Sequence, residues 1–158
     1  ASRVIAIDLA ESKLEFARVF GATDTINASD FDPVEAVMDM TDGGADYTFE
    51  VIGSPSALRQ AFDSLCAGGT ACMVGVPPSN AEISIPMGSL FSDRRLIGSS
   101  AGTGRPRVDF PWYIDMYMQG RLKLEELQSN FRPLEEINEA YEDMLGGEVA
   151  RTILTPQR

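Results

Sequence analysis

From Arg3 to Val76 two kinds of apolar run alternate, and only a few residues separate one from the next. Short runs rich in Val, Ile and aromatic residues read as strands. Longer runs with apolar residues three and four apart read as helices. Arg3 to Asp8 reads as a strand. Glu11 to Phe20 reads as a helix with Leu14, Ala17 and Val19–Phe20 on its apolar side, and Gly21 stands where a left-handed cap belongs. Thr25–Ile26 is a short strand. Asp32-Pro33 starts a helix with Val34, Val37 and Met38 on one face. After the turn "TDGGAD", Tyr47 to Ile52 is a strand, and Gly53-Ser54-Pro55-Ser56 leads into a helix carrying Leu58, Ala61, Phe62 and Leu65, which Gly68-Gly69 should end. Thr70 to Val76 is the next strand, closed by Pro77-Pro78. Alternation with such short joints predicts an α/β fold, a parallel sheet with helices on both faces.

Past Pro78 the pattern changes. Ile83 to Pro86 reads as a short extended piece, and Leu96 to Ala101 as a last strand built from small residues. Gly102 to Arg107 reads as a hinge. Phe110 to Gln119 is helical and apolar nearly all round, through Phe110, Trp112, Tyr113, Ile114, Met116, Tyr117 and Met118. That predicts burial on more than one side. Leu134, Ile137, Ala140, Tyr141, Met144 and Leu145 mark an amphipathic helix capped by Gly146-Gly147, and Arg151 to Leu154 is a closing strand. The division expected is 1–101 and 102–158.

Composition removes several kinds of chemistry. Histidine is absent, which excludes a Ser-His-Asp triad, a Cys-His pair, an imidazole zinc ligand and an imidazole proton shuttle. The two cysteines, Cys66 and Cys72, read as reduced thiols in a cytoplasmic setting and not as a disulfide framework. A net charge of −11 leaves no basic stripe for nucleic acid or an anionic membrane. No apolar run approaches the roughly 18 residues of a membrane span.

Asp8 ends the first apolar strand. A carboxylate at the C-terminal tip of a parallel strand stands where open α/β sheets bind ligands. Its two oxygens can accept both ribose hydroxyls of an adenosine, and its charge would repel a 2′-phosphate, favouring NAD over NADP. Asp8 could equally cap the helix that follows. Lys13 is either a ribose or phosphate contact or a solvated side chain. Gly53 and Gly75 each follow a strand, where glycine lets a ligand approach the backbone; ordinary turns explain each alone, and their equivalent placement points to a shared crevice. Glu50 faces in or out according to strand register, which the sequence leaves open. Arg151 is a surface arginine or a phosphate clamp.

Three stretches together resemble one family: "VIAIDLAESKLEFARVFGATDTIN", "DYTFEVIGSPSALRQAFDSLCAGGTACMVGVPP" and "GEVARTILTP". They are similar to the C-terminal part of zinc-dependent medium-chain alcohol dehydrogenases, in the class III, S-(hydroxymethyl)glutathione or mycothiol dehydrogenase-like branch. The resemblance implies a partial Rossmann fold over 1–101, lacking the first strand and its Gly-x-Gly-x-x-Gly turn, and a C-terminal segment of the catalytic domain over 102–158. It implies NAD as cofactor, with Asp8 and Lys13 at the adenosine ribose. Val51, Ile52 and Gly53 would line the adenine side, and Val74, Gly75 and Val76 the nicotinamide end. Ser99 and Ala101 would flank the nicotinamide, and Arg151 would reach the pyrophosphate. Zinc would belong to the complete enzyme, with no ligand in this chain. The substrate would be a small-molecule alcohol, and Ala81 to Ser92 would be the subunit contact of a homodimer, adding an edge strand. The resemblance implies no catalytic residue in this chain, and the chain alone is expected to be inactive. The alternative is a non-catalytic truncated nucleotide-binding or dimerisation module.

Overall fold

A computed structural model describes residues 1–147 and 149–156. It divides into two compact units, Ala1–Gly104 and Arg105–Arg158. The first unit contains β1 (Ile5–Asp8), α1 (Glu11–Val19), β2 (Asp24–Asn27), α2 (Pro33–Thr41), β3 (Ala45–Glu50), α3 (Pro55–Asp63), β4 (Leu65–Met73) and β5 (Arg95–Gly98). Every strand pair is parallel, as short helical crossovers require.

The strands form two sheets. β1 pairs with β2 from Ile5 opposite Asp24 to Asp8 opposite Asn27. β3, β4 and β5 form a separate sheet in that order. Among the described residues β1 has no strand partner but β2, and β3 none but β4, so each leaves one backbone edge bare. Helix α2 packs against β2, β3 and α3, and so links the two sheets. Its start is well specified: Asp32 accepts the amides of Val34 and Glu35 at 2.8 and 3.1 Å, and Pro33 sits at the first helical position, where no N–H is missed. The core is small. Phe62, Leu65 and Ala71 are fully buried, with Ile85 packed on them, and Leu14, Ile26, Val37 and Leu58 are buried as well.

Several boundaries differ from the sequence reading. Helix α3 ends at Asp63, five residues before Gly68-Gly69. Leu65, expected on its apolar face, instead opens β4, and Gly68-Gly69 lie inside that strand. The register shift between Ala45 and Tyr47 accommodates them. The turn expected over residues 41–46 is present, with Asp42 in the left-handed position after α2. Residues 83–86 form no strand; that segment holds Ile85 against the core and leads into a 3-10 turn over Met87–Ser92. The last strand of the unit is Arg95–Gly98, and Ala101–Thr103 is a 3-10 turn with Gly102 at φ +68°.

The second unit contains α4 (Pro106–Met118), β6 (Asn130–Pro133), α5 (Ile137–Gly146) and β7 (Thr152–Thr155). β6, absent from the sequence reading, pairs parallel with β7. Arg132 fastens this pair to α5, meeting Glu136 and Asp143 each at 2.8 Å. Gly147 caps α5 in the left-handed conformation. The expectation for α4 is overturned. None of its residues is buried, and Trp112, Ile114 and Met118 are 56%, 59% and 76% exposed. Apolar composition brings burial only where a second element supplies a matching face. No described helix or strand packs its side chains broadly over this one.

Candidate functional site

The best-defined constellation forms where β3, β4 and β5 end. Because the three strands are parallel, the chain leaves each at the same side of the sheet, and backbone hydrogen bonds bind the exits in sequence. The amides of Val74 and Gly75 donate to the carbonyl of Glu50 at 2.7 and 2.9 Å, and the amide of Ser99 donates to the carbonyl of Met73 at 2.8 Å. Segments 51–53, 74–76 and 99–101 are therefore adjacent.

Two glycines set how closely the first two approach. A Cβ on Gly75 would lie 2.1 Å from the amide nitrogen of Gly53, and a Cβ on Gly53 would lie 2.4 Å from the carbonyl oxygen of Val76. No side chain fits at either place. Gly53 also has φ +86°, the left-handed region that glycine enters without strain. Val51, Ile52 and Val76 are 67%, 73% and 89% exposed around this contact. The turns thus present apolar side chains over a backbone floor, a surface suited to a flat heterocycle.

Glu50 anchors the arrangement. The register puts it on the inner side of β3, opposite Met73 and 3% exposed. Its Oε1 accepts the amides of Ile52, Gly53 and Ser54 at 2.8, 2.6 and 3.1 Å. Sequence reasoning left this residue open. The available signal was its position four residues before Ser54, which caps α3 at the Ala57 amide.

Asp8 ends β1, partly buried, in the other sheet. Its Oδ1 accepts the amide of Ala10 at 3.0 Å, a local turn two residues on, while α1 has no side-chain cap at its N-terminus. The helix-capping alternative is therefore not realised, and Oδ2 has no protein hydrogen bond among the described residues. Lys13 is exposed in the first turn of α1, with no side-chain partner among the described residues. Ser99 is partly buried, and Ala101 is exposed at φ +48°. Arg151 belongs to the second unit, exposed just before β7, and its carbonyl accepts the amides of Ser129 and Asn130 at 3.0 and 3.3 Å.

Other hollows lie away from these turns. One of about 210 Å³, lined by Asp46, Cys66 and Arg95 among others, lies toward the starts of β3 and β5, opposite the strand ends that carry the glycines. Among the described residues no three His, Cys, Asp or Glu side chains come together as a metal-ligand set. No described helix is long and apolar enough to cross a membrane.

Comparison with known proteins points to one family. The family profile of zinc-binding dehydrogenases covers residues 1–119. Alcohol dehydrogenase 1 of Trifolium repens is 39% identical over 157 residues, 98% of this chain and 41% of that protein. A probable S-(hydroxymethyl)glutathione dehydrogenase 1 of Schizosaccharomyces pombe is 36% identical over 156 residues, again 98% of this chain and 41% of that protein. The crystal structure of benzyl alcohol dehydrogenase from Acinetobacter calcoaceticus superposes with a TM-score of 0.95 at 34% identity, covering 99% of this chain and 43% of that one. The chain thus spans about two fifths of the length of these relatives. Its parallel α/β architecture is the Rossmann-type fold of their C-terminal portion. The chain belongs to the zinc-binding dehydrogenase family, the zinc-dependent medium-chain alcohol dehydrogenases.

Proposed function

We propose that this chain is the cofactor-holding portion of an NAD-dependent alcohol dehydrogenase. The supporting observation is the close backbone contact between the Gly53 and Gly75 turns at the ends of two adjacent parallel strands. Dinucleotides bind outside the carboxyl ends of such strands. The residues fit the adenosine and nicotinamide ends of such a ligand. Asp8 has one carboxyl oxygen without a hydrogen bond among the described residues, available to ribose hydroxyls. Lys13 stands in the first turn of α1, the helix that follows β1. Val51, Ile52 and Gly53 form the adenine wall. Val74, Gly75 and Val76, with Ser99 and Ala101, form the nicotinamide end. The pyrophosphate role of Arg151, a residue of the second unit, rests on the family resemblance alone.

When bound, NAD would supply a hydride acceptor for the carbon of an alcohol. This chain's residues contribute position. The glycine floor lets the ring approach the backbone, and the exposed valines keep water from one of its faces. The metal finds no ligand set among the described residues, so no step through zinc is assigned to them.

The small-molecule alcohol and the homodimer belong to the same proposal. The exposed Met87 and Phe91, at 83% and 93%, and the bare edge of β5 support a subunit contact through 81–92. The two free cysteines suit a cytoplasmic location.

The test is an NMR titration of the 158-residue chain with NADH and with NADPH. NADH should shift the amides at Asp8, Gly53, Gly75 and Ser99. NADPH should bind at least tenfold more weakly, because its 2′-phosphate meets the Asp8 carboxylate. Equal affinity for both, or shifts confined to other residues, would refute the assignment.

A further inference from the structure

We propose that Glu50 is the positioning residue of the cofactor groove: its buried carboxyl fixes the 52–54 turn and its main-chain carbonyl anchors the 74–75 turn, so that one residue sets the separation of the two. The inference rests on the reading of those turns as the groove, and adds what sets their geometry.

Glu50 receives backbone amides from both sides. Its Oε1 takes three, from Ile52, Gly53 and Ser54, which curl the chain tightly after β3. Its own carbonyl takes two more, from Val74 and Gly75, at the exit of β4. The side chain is 3% exposed, and Oε2 has no hydrogen-bond partner among the described residues. Burying a carboxyl group with one oxygen unsatisfied costs stability. An apolar residue at this strand end would avoid that cost. It could not draw three successive amides onto one point.

Gly53 and Gly75 make the convergence consequential. With the Cβ position of Gly75 only 2.1 Å from the Gly53 nitrogen, the turns have no slack. A rotation of residues 52–54 away from Glu50 would open the contact with Gly75 and shift Ile52 and Gly53 relative to Val76. The carboxyl of Glu50 therefore acts on a ligand through the two turns and touches no reacting atom.

The experiment uses the complete 158-residue chain as wild type, Glu50→Gln and Glu50→Ala. Amide hydrogen exchange at Ile52, Gly53, Ser54, Val74 and Gly75 is measured without ligand, and NADH is then titrated. Glu50→Ala should accelerate exchange at least tenfold in both turns, although it leaves the residue-50 carbonyl that binds Val74 and Gly75 intact. Glu50→Gln keeps one acceptor oxygen and should accelerate both turns together by a smaller factor. If the alanine variant does not fold, the glutamine variant decides alone. Acceleration confined to 52–54, with 74–75 at the wild-type rate, overturns the proposal. Glu50→Gln should also weaken NADH several-fold while melting within a few degrees of wild type; loosened turns with unchanged affinity would overturn it too. Failure of the NAD reading is distinguishable, since wild type would then show no NADH shift at Asp8 or either turn, whereas the exchange coupling needs no ligand.

Discussion

Gly75→Ala is the most direct probe of the packed turns. The added Cβ would lie 2.1 Å from the Gly53 nitrogen and 2.7 Å from both the nitrogen and the carbonyl carbon of Ile52, all backbone atoms with no rotamer to yield. Ordinary contact begins at 3.4 Å, so the turns must part by at least 1.3 Å, the difference between 3.4 and 2.1. The amides of Val74 and Gly75 now donate to the Glu50 carbonyl at 2.7 and 2.9 Å. A displacement of that size breaks both bonds. Two backbone hydrogen bonds at about 0.5–1.5 kcal/mol each give a loss of about 2 kcal/mol. At roughly 2–4 °C per kcal/mol for a protein of this size, the melting temperature should fall by about 4–8 °C. Gly88→Ala is the control, because a Cβ there meets nothing within 4 Å. Thermal unfolding followed by circular dichroism, with NADH titration alongside, reads both effects. A Gly75→Ala chain that melts with wild type and binds NADH equally well would show that the turns do not press together.

Two further outcomes follow from packing and charge. Phe62→Ala removes a fully buried ring from the centre of the α3–β4 core and should cost about 3–5 kcal/mol in urea unfolding; a loss below about 1 kcal/mol would mean the site collapses or is not core. Tyr117 donates to Glu125 at 2.7 Å, and this bond to the acidic side chain raises its phenol above the usual tyrosine range. The neutral phenol is the form that donates, so the contribution is complete below the unfolded value of about 10 and is lost as pH rises through the higher folded value. Ultraviolet titration of the four tyrosines should show one lagging the others, and Glu125→Gln should bring it back into line. A lag that survives Glu125→Gln would assign the shift to another cause.

What could be read without coordinates follows from which forces are local. The N-termini of α2 and α3 were legible because Asp32-Pro33 and Ser54-Pro55 carry their own caps. The meeting of Gly53 with Gly75 was foreshadowed by two glycines at equivalent strand exits. The end of α3 was misplaced because helical spacing from Leu58 to Leu65 runs on into a strand, and nothing local distinguishes the last residue of one from the first of the other. β6 was missed because "NFRP" is four residues with a charge and a proline, and only its pairing with β7 makes it a strand. Glu50 was undecidable for a similar reason: its inward orientation is a property of sheet register, and its three amide partners are fixed only once the turn has closed.

The divided sheet has a consequence for handling the molecule. Ile5–Asp8 and Ala45–Glu50 each carry, on one edge, a row of amides and carbonyls that no strand among the described residues pairs with, beside side chains as apolar as Tyr47 and Phe49, 70% and 66% exposed. Such rims are templates for intermolecular zippering. The surplus of eleven negative charges opposes that encounter by mutual repulsion. Colloidal behaviour should therefore depend on ionic strength: concentrated salt, by shortening the reach of that repulsion, will drive this chain into assemblies that dilute buffer holds apart.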